Sequence, residues 1–240
     1  MWRIAQQRGV DFLWAAQAAD GGWHSATYGA LRPGAALTAL ALYALSTVEP
    51  VGGDPRAARA RDACDFLRKG LVKRGCIACP DGTLDYPVYA SSLALRTARV
   101  GWELWSAEER RKLVEYLVRA QLTESRGFTA EQPDAGGWDV AGYVDGRAVT
   151  TGSNISLVRH ATTALNAYLD EPPQGDGATA AAVRLRASVA EALQAAQRWT
   201  LRCQAWPDDG GFHFAPQPGA LDNKAAWSDS ARRAPRSYGT

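Results

Sequence analysis

The chain has few residues able to do chemistry. Its histidines are His24, His160 and His213, and its cysteines are Cys64, Cys76, Cys79 and Cys203. Cys76-x-x-Cys79 is spaced to offer two thiolates to one metal ion. Zinc takes four ligands, or three and a water, so the pair is a half-site that distant residues would have to complete. No second Cys/His pair stands at metal spacing. Three readings stay open: unremarkable thiols, a zinc half-site completed through space, or a redox dithiol, which has no βαβ pattern around it. Asp208-Asp209 places two carboxylates side by side, but aspartate directly before Gly-Gly is ordinary turn chemistry. A serine nucleophile has no G-x-S-x-G turn to carry it. Arg159, His160, Thr163 and Asn166 recur at helical spacing, so one helix face could present them to a cavity. The competing reading of His160 is a satisfied core histidine. Tyr28, Tyr86, Tyr89 and Tyr143 follow turns and could line a rim, where aromatic faces attract cations.

These residues hang on a recurring unit. Arg8–Trp23 reads RGVDFLWAAQAADGGW: an apolar helix face (Val10, Phe12, Leu13), then Gln17, a turn at Asp20-Gly21-Gly22, and Trp23. Tyr116-Leu117 leads to Gln121 and, after a delay, to Gly136-Gly137-Trp138. Trp199 leads to Gln204 and Gly210-Gly211-Phe212. Phe66-Leu67 leads, without the glutamine, to Asp81-Gly82 and Tyr86. Glycine at the end of each helix tolerates the positive φ that turns the chain. The aromatic beyond it can fold back and close the turn, and a neighbouring unit can cover the apolar face that one unit leaves wet. A structural role for Trp23, Trp138 and Phe212 competes with ligand stacking.

The pattern basic-small-x-x-aromatic-Leu-x-x-x-Gln-x-x-x-Gly-x-Trp, met in full by Arg8, Gly9, Phe12, Leu13, Gln17, Gly21 and Trp23, resembles the QW repeat of the squalene–hopene and oxidosqualene cyclases. The wider superfamily includes the protein prenyltransferase subunits. The resemblance covers nearly the whole chain and implies an all-α fold, an α/α toroid of inner and outer helices. It also implies an isoprenoid or other apolar ligand in a central cavity. The cyclases protonate their substrate with an aspartic acid from DxDDTA. The nearest counterparts here, Gly34–Ala39 and Arg159–Ala164, keep Thr-Ala and lose every aspartate, so the expected activity is undetermined. The prenyltransferases hold a zinc with Asp, Cys and His, which points again to Cys76 and Cys79. An alternative is a non-catalytic toroid module that binds a protein partner or associates with itself to complete the ring. A glycan-active toroid would need acidic pairs on inner helices, and none stands there.

Composition narrows the class. With 46% hydrophobic and 22% charged residues the chain is globular. A net charge of +2 and the lack of a basic run argue against a nucleic-acid surface. Ala35–Leu45 is the longest apolar stretch and falls short of the roughly 20 residues a membrane span needs. MWRIAQQRGV lacks the apolar core of a signal peptide. A cytoplasmic protein is the default expectation, with a start further upstream left open.

The predicted helices are Ile4–Ala19, Ala35–Leu45, Pro55–Lys73 and Val88–Val100, one capped by Ser106 and ending near Thr123, one capped by Ser153 or Asn154 and running to Leu169, and Ala178–Cys203. Ala35–Leu45 is apolar all round, as an inner helix should be. Ser106-Ala107-Glu108-Glu109 is a capping box. We expect one domain over 1–240, an incomplete ring of about seven helices, and a poorly structured tail over 213–240.

Overall fold

The computed structural model describes residues 2–48, 56–78, 85–97, 104–140, 143–144, 147–148, 152–172, 179–204 and 210–216, with backbone only at 143–144 and 147–148. Among them are seven α-helices: α1 (Trp2–Ala16), α2 (Ala35–Ser46), α3 (Arg56–Arg74), α4 (Pro87–Thr97), α5 (Ala107–Ala120), α6 (Ile155–Asp170) and α7 (Ala180–Arg202). The antiparallel pair β1 (Tyr143–Val144) and β2 (Arg147–Ala148) is the only β ladder among the described residues. No helix among the described residues is long and apolar enough to cross a membrane. The predicted tail lies almost wholly outside the described residues, as do Asp81-Gly82 and Asp208-Asp209.

The chain forms two compact units, Met1–Tyr116 and Leu117–Thr240, and α5 straddles the boundary. In the first unit α2 and α4 form the centre. Nine of the eleven residues of α4 are buried, as are most of α2, and the two helices pack on each other. They run parallel: the Asp85 carboxylate, just before α4, accepts from the Ala35 amide at the start of α2, and Arg96 near the end of α4 donates to the Tyr43 hydroxyl. Within α3, Gly70 admits the returning segment 75–78, since a Cβ there would lie 1.9 Å from the Ala78 carbonyl oxygen.

Short-range signals in the sequence have their expected partners. Ser106 and Glu109 form the capping box, Ser106 N–H donating to Glu109 Oε2 at 2.7 Å and Glu109 N–H to Ser106 Oγ at 3.2 Å. Asn154 caps α6 through the Leu157 amide. Helix α7 is capped by Thr179 and begins after it. The first helix stops at Ala16, before Gln17, and its packed face differs from the expected one. Val10 and Trp14, four residues apart, point inward, whereas Phe12 lies on the opposite side and is 70% exposed.

The repeat closures are built alike. Gln17 Nε2 donates to the Gly21 carbonyl at 2.9 Å and to the Arg59 carbonyl of α3 at 2.9 Å. Gln121 Nε2 does the same with Gly136 at 2.9 Å and Ala192 of α7 at 2.8 Å. Trp23 Nε1 donates to Leu13 O and Trp138 Nε1 to Leu117 O, both at 2.7 Å. In each case the acceptor lies four residues before the glutamine. Gly21 (φ +90°) and Gly136 (φ +88°) then pass so close to the next helix that a Cβ would meet Asp62 O or Ala195 O at 2.5 Å. Positive φ and close approach together leave only glycine. Gln204 makes the first bond of the set, to Gly210 O at 3.2 Å, and Phe212 pairs with it as an isolated bridge.

Truncating Gln121 and Gln204 separates the second closure from the third. Gln121→Ala strips a buried amide from two carbonyls and should cost about 1–3 kcal/mol in urea or thermal unfolding. Gln204→Ala removes a single half-exposed bond and should cost about 1 kcal/mol or less.

Candidate functional site

The α2–α4 pair is one of the places where the first unit presents apolar surface, at Leu40. Helix α2 carries no charged residue, so nothing on it favours water over a neighbour. Most of its circumference is buried, but Leu37 is half-buried and Leu40, three residues on, is 49% exposed. On α4 the residues that are not fully buried are Tyr89 and Arg96. The Arg96 guanidinium stacks on the Tyr43 ring with its centre 4.2 Å from the centroid. The parallel register between Asp85–Ala35 and Arg96–Tyr43 sets Tyr89 at the level of Leu37–Leu40. Tyr89 meets Tyr86 edge-on, with ring centroids 6.1 Å apart. Tyr86 has φ +45°, unlike every other non-glycine residue described, and such strain is held only where surrounding contacts fix it.

Thr38, kept from the Thr-Ala motif, is used structurally, its buried hydroxyl accepting the Trp23 amide at 2.8 Å. Asp85 is fully buried beside the start of α2, where a helix N-terminus favours negative charge. Sequence reasoning missed this residue because its acceptor role spans 50 positions.

The other candidates lie as follows. On α6, Arg159, Thr163 and Asn166 form an exposed row with half-buried His160 beside it. The Thr163 hydroxyl donates back to the Arg159 carbonyl at 2.7 Å. Tyr28 precedes a short 3-10 turn, Gly29–Leu31, and is exposed. Tyr143 lies on β1. Cys76 is buried, and Cys79 lies outside the described residues. Among the described residues no three His, Cys, Asp or Glu side chains gather closely enough to hold a metal ion. Burial pushes the Cys64 and Cys203 thiols up to about 12, so neither supplies a thiolate at neutral pH.

His24 belongs to a charged turn. Its Nδ1 lies 3.0 Å from the Arg32 carbonyl, which can only accept. Its Nε2 lies 3.1 Å from Asp20 Oδ2. Both ring nitrogens therefore face acceptors, which suits the doubly protonated ring. Partial burial opposes the charge, but the Asp20 hydrogen bond, the Arg32 carbonyl and the charges of Asp20 and Asp85 outweigh it and hold the pKa above the usual histidine range. For Asp20, partial burial is outweighed by the Gly22 amide and His24, which hold its carboxyl below the usual range. In the second unit a comparable turn uses no histidine: Asp134 Oδ1 accepts from the Ser153 amide at 2.8 Å and from its hydroxyl, which in turn accepts from Trp199 Nε1 at 2.7 Å.

No protein-family model, curated protein or solved structure matches the chain.

The Asp20–His24 pair gives a signed pH dependence. His24's contribution is fully present below the unfolded value of 6.5 and is lost as pH rises through the raised folded value. Asp20's is present above 3.8 and is lost as pH falls through the lowered folded value. The melting-temperature difference between wild type and His24→Asn should therefore be greatest between these limits and shrink on both sides. A difference that stays constant across the pH range would contradict the assigned protonation.

Proposed function

We propose that this chain is a binding protein of the squalene-cyclase/prenyltransferase-repeat kind, which takes an isoprenoid or other apolar ligand along the open face of α2 and α4. Leu40 carries this reading. A half-exposed leucine on a charge-free central helix, next to half-buried Leu37 and level with Tyr89, is surface that an apolar ligand would cover. Burying a whole leucine side chain is worth about 1.5–3 kcal/mol, and with Leu40 49% exposed and Leu37 and Tyr89 less so, covering the three contributes a few kcal/mol to binding. Arg96, stacked on Tyr43, adds a cation at one end of the face. That end suits a polar head group and leaves the Tyr86–Tyr89 end for the chain of the ligand.

The reading assigns binding and no turnover. The one buried acid at this end of α2, Asp85, is engaged with the helix amide. The α/α toroid and the isoprenoid preference rest on the QW resemblance, and the duplicated glutamine closures favour that kinship. A second reading, a module that binds protein, is favoured by exposed Phe12 on α1.

Farnesol, titrated by calorimetry, should bind wild type with a negative heat-capacity change. Leu40→Asp puts a charge on the face at a half-exposed position, and should weaken binding about tenfold or more while the helical circular dichroism is retained. Absence of heat from farnesol and from a long-chain fatty acid alike would end the proposal.

A further inference from the structure

The two central helices of the first unit carry one charge between them. Helix α2 has none, and on α4 only Arg96 is charged. Its place in the last turn of α4 suits the helix dipole, an effect of about 0.3–1 kcal/mol that uses none of its N–H groups. The side chain is half-buried, and among the described residues no carboxylate pairs with it. Tyr43 holds it instead. The guanidinium lies 4.2 Å from the ring centroid and gives one N–H to the phenol oxygen. Arginine has five N–H donors, so most are still to be given. The Tyr43 hydroxyl, having accepted that bond, keeps its own hydrogen to donate.

Ser92 is a third donor. It lies one helical turn before Arg96 on the same side of α4, and side chains four apart on a helix are about 5–6 Å apart at Cβ. It is fully buried, and its Oγ has no partner among the described residues. The adjacent Ser91 differs, since its hydroxyl accepts from the Ile77 amide at 3.0 Å. An unpaired hydroxyl so enclosed costs about 1–3 kcal/mol, which an arriving acceptor removes.

Charge decides which acceptor fits. One guanidinium balances one negative charge, and the C-terminal ends of α2 and α4, both partly negative, lie within a turn of Tyr43 and Arg96. A carboxylate meets that condition and offers about four lone-pair sites to the donors. A phosphate monoester brings about 1.5–2 negative charges, and neither helix has a second cation to meet them. The apolar surface begins beside the donors. Leu40 lies three residues before Tyr43 and Leu37 six before, a rise of about 9 Å along the helix.

We propose that the ligand of this face is a long-chain carboxylic acid, its carboxylate held by Arg96, Tyr43 and Ser92 and its chain laid over Leu40 and Leu37. The inference rests on the apolar-ligand reading above and narrows it to one head group. Because Ser92 is enclosed, its bond forms as the side chains over it shift, and the two larger donors carry most of the selectivity.

Calorimetry of the 240-residue chain near neutral pH with dodecanoate, dodecanol and dodecyl phosphate compares three head groups on one chain. Dodecanoate should bind about tenfold or more tightly than dodecanol, and more tightly than dodecyl phosphate. Arg96→Gln should abolish the advantage over dodecanol and leave dodecanol binding as in wild type. Tyr43→Phe keeps the ring and loses only the hydroxyl, so it should lower dodecanoate affinity several-fold without affecting dodecanol; it decides the matter if Arg96→Gln loses its helical circular dichroism. Ser92→Ala should also weaken dodecanoate, whereas a merely structural serine would change the melting temperature and leave binding alone. Equal affinity for acid and alcohol, or tighter binding of the phosphate, would overturn the inference while the apolar reading stands. No heat from any of the three or from farnesol would overturn both.

Discussion

A backbone carbonyl in the middle of a helix has already accepted one amide hydrogen, but its second lone pair is still available. The closures exploit it. Each glutamine has two N–H bonds to give, and at Gln17 and Gln121 one goes to the turn behind it and the other to such a carbonyl on another helix. One side chain thereby fixes the turn and the helix it packs on at once. At Gln17 the oxygen is used as well, accepting from Arg59 Nε at 2.9 Å. Burial makes the bond consequential: Gln121 is 2% exposed, and an amide so enclosed has no water to fall back on. The positive-φ glycines and the returning tryptophans follow from this geometry, because the turn must come near enough for one amide to reach both acceptors.

The central helices of the first unit are held differently, by burial along α2 and α4 and by polar ties at both ends. On α2 that arrangement leaves Leu40 half-exposed and Leu37 partly so, with no charged neighbour on the helix.

Signals confined to a few neighbouring residues were legible in the sequence. The capping box at Ser106–Glu109, the Asn154 cap, the glutamines, the glycine pairs and the aromatics after them all stand where their spacing put them. What the sequence hid is what depends on partners far along the chain. A carbonyl that accepts from a glutamine has no side-chain signature, so Arg59 and Ala192 look like ordinary helix residues. Asp85 reads as a turn aspartate until its distant partner is known. Phe12 is the instructive miss: it completes the repeat motif, yet the motif only says that this position is covered when another unit lies beside it. Its neighbour Trp14, absent from the pattern, takes the buried place instead.

The distance along the chain between glutamine and glycine varies while the bond from the glutamine amide to the glycine carbonyl does not. It is 4 residues from Gln17 to Gly21, 15 from Gln121 to Gly136 and 6 from Gln204 to Gly210. The longer span exposes residues 129–132 and returns to the same anchor. Such a junction tolerates grafts: a foreign peptide spliced among the exposed residues 129–132 would have its ends already pinned by the Leu122–Gly136 and Leu122–Gly137 backbone bonds, so new recognition loops can be gained there without redesigning the framework beneath.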